Sequence, residues 1–110
     1  MKDFLGNEFH PVEMYKLINM LIQDGSHKFT VEEFMDTPCV RFQDDAGHDI
    51  GDAICHSGSY GHENGLLEIM GLGICVKNDG DDVKGWMTAE EVIQQLKKFI
   101  TQRKDGLTND

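Results

Sequence analysis

The sequence predicts an α+β domain: a small three- or four-stranded, mostly antiparallel sheet with N- and C-terminal helices packed on one face. Three observations predict it. Apolar residues recur at helical spacing near both ends, apolar and polar residues alternate in the middle, and clusters of Asp, Asn and Gly punctuate that middle. At 110 residues the chain has room for one two-layer core and not for two. A winged-helix arrangement would give a similar order of elements, but an acidic middle argues against a DNA-binding version of it.

Residues 1–10 read as a lead-in and residues 107–110 as a tail, both expected to be mobile. Pro11 suits a first helical position, where its missing N–H costs nothing. From Val12 to Asp24, Met14, Leu17, Ile18, Leu21 and Ile22 recur at helical spacing, with Tyr15 and Met20 widening the stripe. Gly25 supplies the left-handed residue that ends many helices. Thr30-Val31-Glu32-Glu33 reads as a second helix start, because the threonine and a glutamate three residues on can satisfy each other's backbone donors. Thr37-Pro38 then stops it, so a short helix packed by Phe29, Val31 and Phe34 is expected.

Cys39 to Gln43 alternates in the manner of a half-buried strand, and Asp44-Asp45-Ala46-Gly47 is turn chemistry. Asp49 to His56 resumes as a strand, completing a hairpin. Ser57 to Gly65, with three glycines among small polar residues, reads as a loop. Glu68 between Leu67 and Ile69 favours a strand over Leu66–Met70, while Gly71 and Gly73 suggest a bulge or a close backbone approach. Leu72–Val76 is a further strand candidate, Lys77–Asp82 a turn, and Val83–Trp86 a short strand. Thr88 caps a final helix from Ala89 to about Lys104, with Val92, Ile93, Leu96, Phe99 and Ile100 on one face. Its early acids and late bases complement the helix dipole, and Gly106 ends it.

Composition excludes several classes. No apolar run approaches the roughly 20 residues of a membrane span, and the N-terminus lacks the apolar core of a secretory signal, so a cytoplasmic protein is expected. Three isolated cysteines, Cys39, Cys55 and Cys75, each beside an apolar residue, read as buried thiols rather than a disulfide framework. The net charge is −10, and residues 29–82 hold twelve acidic side chains against Arg41 and Lys77. Such a field repels nucleic acid and favours encounter with a basic surface.

Candidate chemistry concentrates between Asp52 and Val76. Cys55, His56 and His62, with Cys39, His48 and Cys75, are the residue types that hold zinc, but the close-spaced ligand pairs are absent. Cys55 with His56 or His62, oriented by Asp52 or Glu63, would make a nucleophile and base, although neighbours on a strand face opposite ways. Gly58, Gly61 and Gly65 lack the spacing and the lysine of a phosphate loop. Neither Asn78–Asp82 nor Asp44–Asp52 follows the calcium-loop pattern. Tyr60 among flexible glycines suits a contact surface, with acids around it to steer a basic partner. The binding residues expected on this reading are Asp44, Asp45, Asp49, Asp52, Tyr60, His62 and Glu63, with no catalytic residue, metal or cofactor.

The run Ser59-Tyr60-Gly61-His62-Glu63-Asn64-Gly65-Leu66-Leu67-Glu68-Ile69-Met70-Gly71, followed by Asp82-Val83-Lys84-Gly85-Trp86-Met87-Thr88-Ala89-Glu90-Glu91-Val92, resembles small uncharacterised proteins encoded by phages and prophages. The resemblance covers about residues 55–96 and implies no activity. It implies a context in which short acidic proteins inhibit host defence machinery, in an anti-CRISPR-like manner, by presenting carboxylates where a nuclease expects phosphates. The expectation is a non-enzymatic inhibitor of a basic host nuclease, acting in the host cytoplasm without binding nucleic acid or membrane. The alternatives are an immunity protein for a toxin nuclease and a Cys/His or metal-dependent small hydrolase.

Overall fold

The computed structural model describes residues 1–3, 5–74 and 83–108, the last five of these by their backbone alone. It has an α+β fold with a five-stranded antiparallel open sheet and two helices. Helix α1 spans Val12–Asp24 and α2 Ala89–Thr108; the strands are β1 Lys28–Phe34, β2 Thr37–Gln43, β3 Asp49–Ile54, β4 Leu67–Gly71 and β5 Val83–Met87. The strands lie side by side in chain order, each antiparallel to the next. Among the described residues no helix is long and apolar enough to cross a membrane.

Five strands replace the expected three or four because Thr30–Phe34 is not a helix. β1 pairs with β2 along its whole length, from Lys28 opposite Gln43 to Phe34 opposite Thr37. Phe29, Val31 and Phe34 suit a pleated surface, and a full ladder to the next strand outweighs one local capping pair. Met35 and Asp36 join the strands with φ of 51° and 65°, the positive pair that matches the twist of a tight hairpin. Pro38 is tolerated because the β2–β3 ladder begins only at Val40.

The same capping grammar succeeds at Thr88. Its hydroxyl accepts the Glu91 N–H at 3.2 Å while the Glu91 carboxylate accepts the Thr88 N–H at 3.0 Å. α2 then runs on past Gly106 to Thr108 rather than ending at the glycine. In α1, Pro11 sits just before the first helical residue, and Gly25 closes the helix in the left-handed conformation with its N–H on the Leu21 carbonyl. Leu72 to Ile74 leave β4 in a turn rather than a strand; the rest of that strand candidate, and the expected Lys77–Asp82 turn, lie outside the described residues.

Cross-strand register divides the side chains between two faces. Val40, Ala53 and Ile69 form one row, and Met14, Leu17 and Leu21 of α1 with Val92, Ile93 and Leu96 of α2 share their buried cluster. Tyr15 and Ile22, read as part of the α1 stripe, are exposed. The opposite face carries the row Arg41, Asp52, Met70, Val83. That second face is where polar and exposed apolar side chains meet.

Candidate interaction surface

β-strand parity sends Glu32, Arg41, Asp52, Glu68 and Met70 to the face away from the core. The Arg41 guanidinium lies 3.3 Å from Glu32 and 3.6 Å from Asp49, so one cation sits between two carboxylates. Asp52, on the neighbouring strand, is half-buried, and its carboxyl is held above the usual range by burial and by Asp49, with Arg41 opposing. Among the described residues of this face the acids outnumber the single arginine, which leaves it negative. Met70 is exposed beside them.

An aromatic ledge adjoins this face. The Tyr60 and Trp86 rings stack with centroids 5.2 Å apart and planes 27° from parallel, and each side chain remains more than half exposed, at 52% and 56%. Such exposure would ordinarily mean mobility, but here the backbone is pinned. The Tyr60 N–H donates to the Glu68 carboxylate at 2.8 Å, and the Trp86 N–H donates to the Tyr60 carbonyl at 3.2 Å. Trp86 has φ of 54°, a conformation that costs a bulky residue about 1–2 kcal/mol and persists only where its surroundings enforce it. Gly85 supplies the room: a Cβ there would lie 2.3 Å from the Tyr60 Cβ.

The loop beneath the ledge is more buried than its composition suggests. The Ser59 hydroxyl accepts the His56 N–H and donates to the His56 carbonyl, both at 3.0 Å, which closes a tight turn. His56 Nδ1 accepts the Gly58 N–H at 2.9 Å, so the ring is neutral with its proton on Nε2. Burial depresses its pKa, in agreement. The ring packs against Phe34 at 5.1 Å. Cys55 and His56, neighbours expected to face opposite ways, are both buried.

The expected binding residues divide among three places. Asp49, Asp52 and Tyr60 belong to the outer face and its ledge. Asp44 and Asp45 sit in the β2–β3 turn, where Asp44 accepts the Ala46 and His48 N–H groups at 3.0 and 2.9 Å and lies 3.6 Å from Arg103. Those bonds hold the Asp44 carboxyl below its ordinary range and give it a structural task. His62 lies against Asp3 and Phe9 of the N-terminal residues, and Glu63 is exposed beside the His62 ring. Trp86, Met70 and Arg41 escaped sequence reasoning: a strand pattern does not tell which aromatic residue stays in solvent.

A cavity of about 550 Å³ lies between that turn and α2, over Ile50, Leu96 and Ile100. Its cationic rim is already engaged, Lys28 by the Asp45 carbonyl at 2.9 Å and Arg103 by Asp44. Among the described residues no three His, Cys, Asp or Glu side chains converge as metal ligands. Burial pushes the thiols of Cys39 and Cys55 up to about 11. At pH 8 each is then expected to alkylate about 100-fold more slowly than an ordinary thiol, measured by peptide mapping after timed iodoacetamide treatment. Rapid labelling of Cys55 would instead mark an accessible thiolate.

Comparison with family models, with curated proteins and with solved structures finds no match to this chain.

Proposed function

We propose that this protein is a small acidic binding protein that occludes a basic surface on a partner, with the outer sheet face and the Tyr60–Trp86 ledge as its contact. A nuclease is the partner class that fits best, since the carboxylates of Glu32, Asp49 and Asp52 would stand where it receives phosphates. This is the inhibitor reading of the phage-like context, acting in the cytoplasm with both helices on the other side of the sheet. One observation carries it: two large aromatic rings stacked, pinned and left half in water beside a net-negative face.

The energetics favour a cationic partner. Buried aromatic anchors dominate protein interfaces, and their pinned backbone lowers the entropy lost on binding. A lysine or arginine over the ring faces gains a cation–π term of about 0.5–2 kcal/mol. The surrounding carboxylates steer such a partner on approach and make association salt-dependent. Arg41 reduces the charge at the centre of the face, so Asp49 and Asp52 act through the field more than through direct pairs.

Capture from host lysate on the immobilised chain, at low and moderate salt, tests the reading. A basic protein is expected to be retained by the native chain, with about tenfold or greater loss of affinity for Trp86→Ala and a comparable loss for the double reversal Asp49→Lys, Asp52→Lys. Recovery of nothing at either salt, or retention indifferent to both variants, would sink it.

A further inference from the structure

His62 is the best-connected side chain in the loop, and its partners impose a protonation state. Nδ1 lies 2.8 Å from the Ser59 carbonyl and 3.2 Å from the Glu63 carboxylate, while Nε2 lies 3.2 Å from the Asp3 carboxylate. All three partners can only accept, and a neutral imidazole has one donor. Only the imidazolium satisfies both ends of the ring.

The Asp3 end is not a surface ion pair. Its side chain is 6% exposed, and its other oxygen accepts the Leu5 and Asn7 N–H groups at 3.0 and 2.8 Å. Around it, residues 1–3 fold back against residues 8 and 9 through a bridge between Lys2 and Glu8 and the Phe9 N–H on the Met1 carbonyl. Phe9 is buried edge-on against the His62 ring at 5.1 Å. On the other side, His62 holds the carbonyl of Ser59, the residue next to Tyr60. Gly61 continues the path: a Cβ there would lie 3.0 Å from the Trp86 backbone.

We propose that His62 and Asp3 form a pH-sensitive clasp that locks residues 1–10 onto the loop presenting Tyr60 and Trp86, and that loss of the imidazolium proton releases this arm and loosens the ledge. The clasp stands on its own geometry; its regulatory meaning rests on the ledge being the binding surface. Whichever tautomer forms on deprotonation, a lone pair faces either the Asp3 carboxylate or the Ser59 carbonyl, both shielded from water, and one anchor is lost.

The direction with pH follows from the charges facing the ring. Asp3 comes from the arm and Glu63 from the short 3-10 turn at His62–Asn64, while His56 is the neighbouring titratable group in the loop. Burial alone would lower the His62 pKa, but the Ser59, Asp3 and Glu63 contacts overcome it and raise the value above 6.5. A raised histidine stabilises the folded arm fully below its unfolded value and loses that contribution as pH climbs through the folded one. Burial tends to raise Asp3, yet its bonds to His62, Asn7 and Leu5 leave it lowered, so its share is lost only in acid. The clasp is closed in mild acid and opens as pH climbs through the raised His62 value.

Amide hydrogen exchange at Leu5, Asn7 and Phe9, corrected for intrinsic rates and followed from about pH 6 to about pH 9, tests this without any partner. Protection is expected to fall about tenfold or more across the range, in step with the His62 ring resonance and with the emission of Trp86, the chain's one tryptophan. Asp3→Asn is expected to move the His62 midpoint down, and His10→Gln, which removes the arm's own imidazole, to leave it in place. Unchanged protection across the range, or a His62 midpoint at or below 6.5, overturns the clasp even if the ledge binds its partner. A working clasp with an inert ledge overturns only the regulatory reading.

Discussion

Gly85→Ala is expected to take the Tyr60–Trp86 ledge apart while leaving the sheet folded. The added Cβ would fall 2.3 Å from the Tyr60 Cβ and 3.0 Å from its carbonyl oxygen, so the tyrosine backbone has to move. Movement breaks the Trp86 N–H bond to Tyr60 and strains the Tyr60 N–H bond to Glu68. Overpacking of this kind costs about 1–3 kcal/mol. Trp86 emission reads the local change, urea unfolding reads its cost, and capture of the basic partner reads its consequence, with retention expected to fall at least as far as for Trp86→Ala. Gly25→Ala is the contrast: its φ is 70° but nothing lies within 4 Å, so only the backbone cost of about 1 kcal/mol is expected, with no clash. Equal behaviour of the two variants would mean that the ledge is not held by packing at Gly85.

Phe42→Ala is expected to cost about 3–5 kcal/mol, because it deletes a fully buried ring from an interior strand. The site cannot collapse readily. Phe42 pairs with Gly51, whose missing side chain leaves room for Leu72: a Cβ on Gly51 would stand 2.8 Å from Leu72 Cγ and 2.7 Å from the Met70 carbonyl. Gly71, opposite Gly51, approaches it as closely, a Cβ there falling 2.7 Å from the Gly51 Cα. The void left by the ring is therefore bounded by backbone already in contact. Total stability of about 5–15 kcal/mol is usual for a domain of this kind, so the urea midpoint should fall steeply with an unchanged slope. A loss under about 1 kcal/mol would show that the core closes over the gap.

How much of this was legible depends on how far each contact reaches along the chain. The Val12–Asp24 helix, the Gly25 terminus, the Asp44–Gly47 turn and the Thr88 capping box are settled within a few residues, and each is present as read. Thr30–Glu33 offers the same capping letters as Thr88–Glu91 and forms a strand instead. Its competitor is a ladder to Thr37–Gln43, and local grammar carries no record of that ladder. The expected acidic site fared similarly. Each carboxylate was visible, but strand parity at Asp52 and a register shift beside Asp49 put both on the outer face, and turn geometry tied Asp44 into its own turn.

The sequence by itself determined the fold class and the confinement of negative charge to the middle of the chain. Tertiary structure alone decided that Trp86 stacks on Tyr60, that Arg41 sits among the acids, and that His62 clasps Asp3. Helical and strand periods follow from backbone geometry over a few neighbouring residues, so composition and spacing encode them. Register, stacking and a charge pair 59 residues apart are set by which surfaces lose water together when the chain closes, and that is a property of the whole fold.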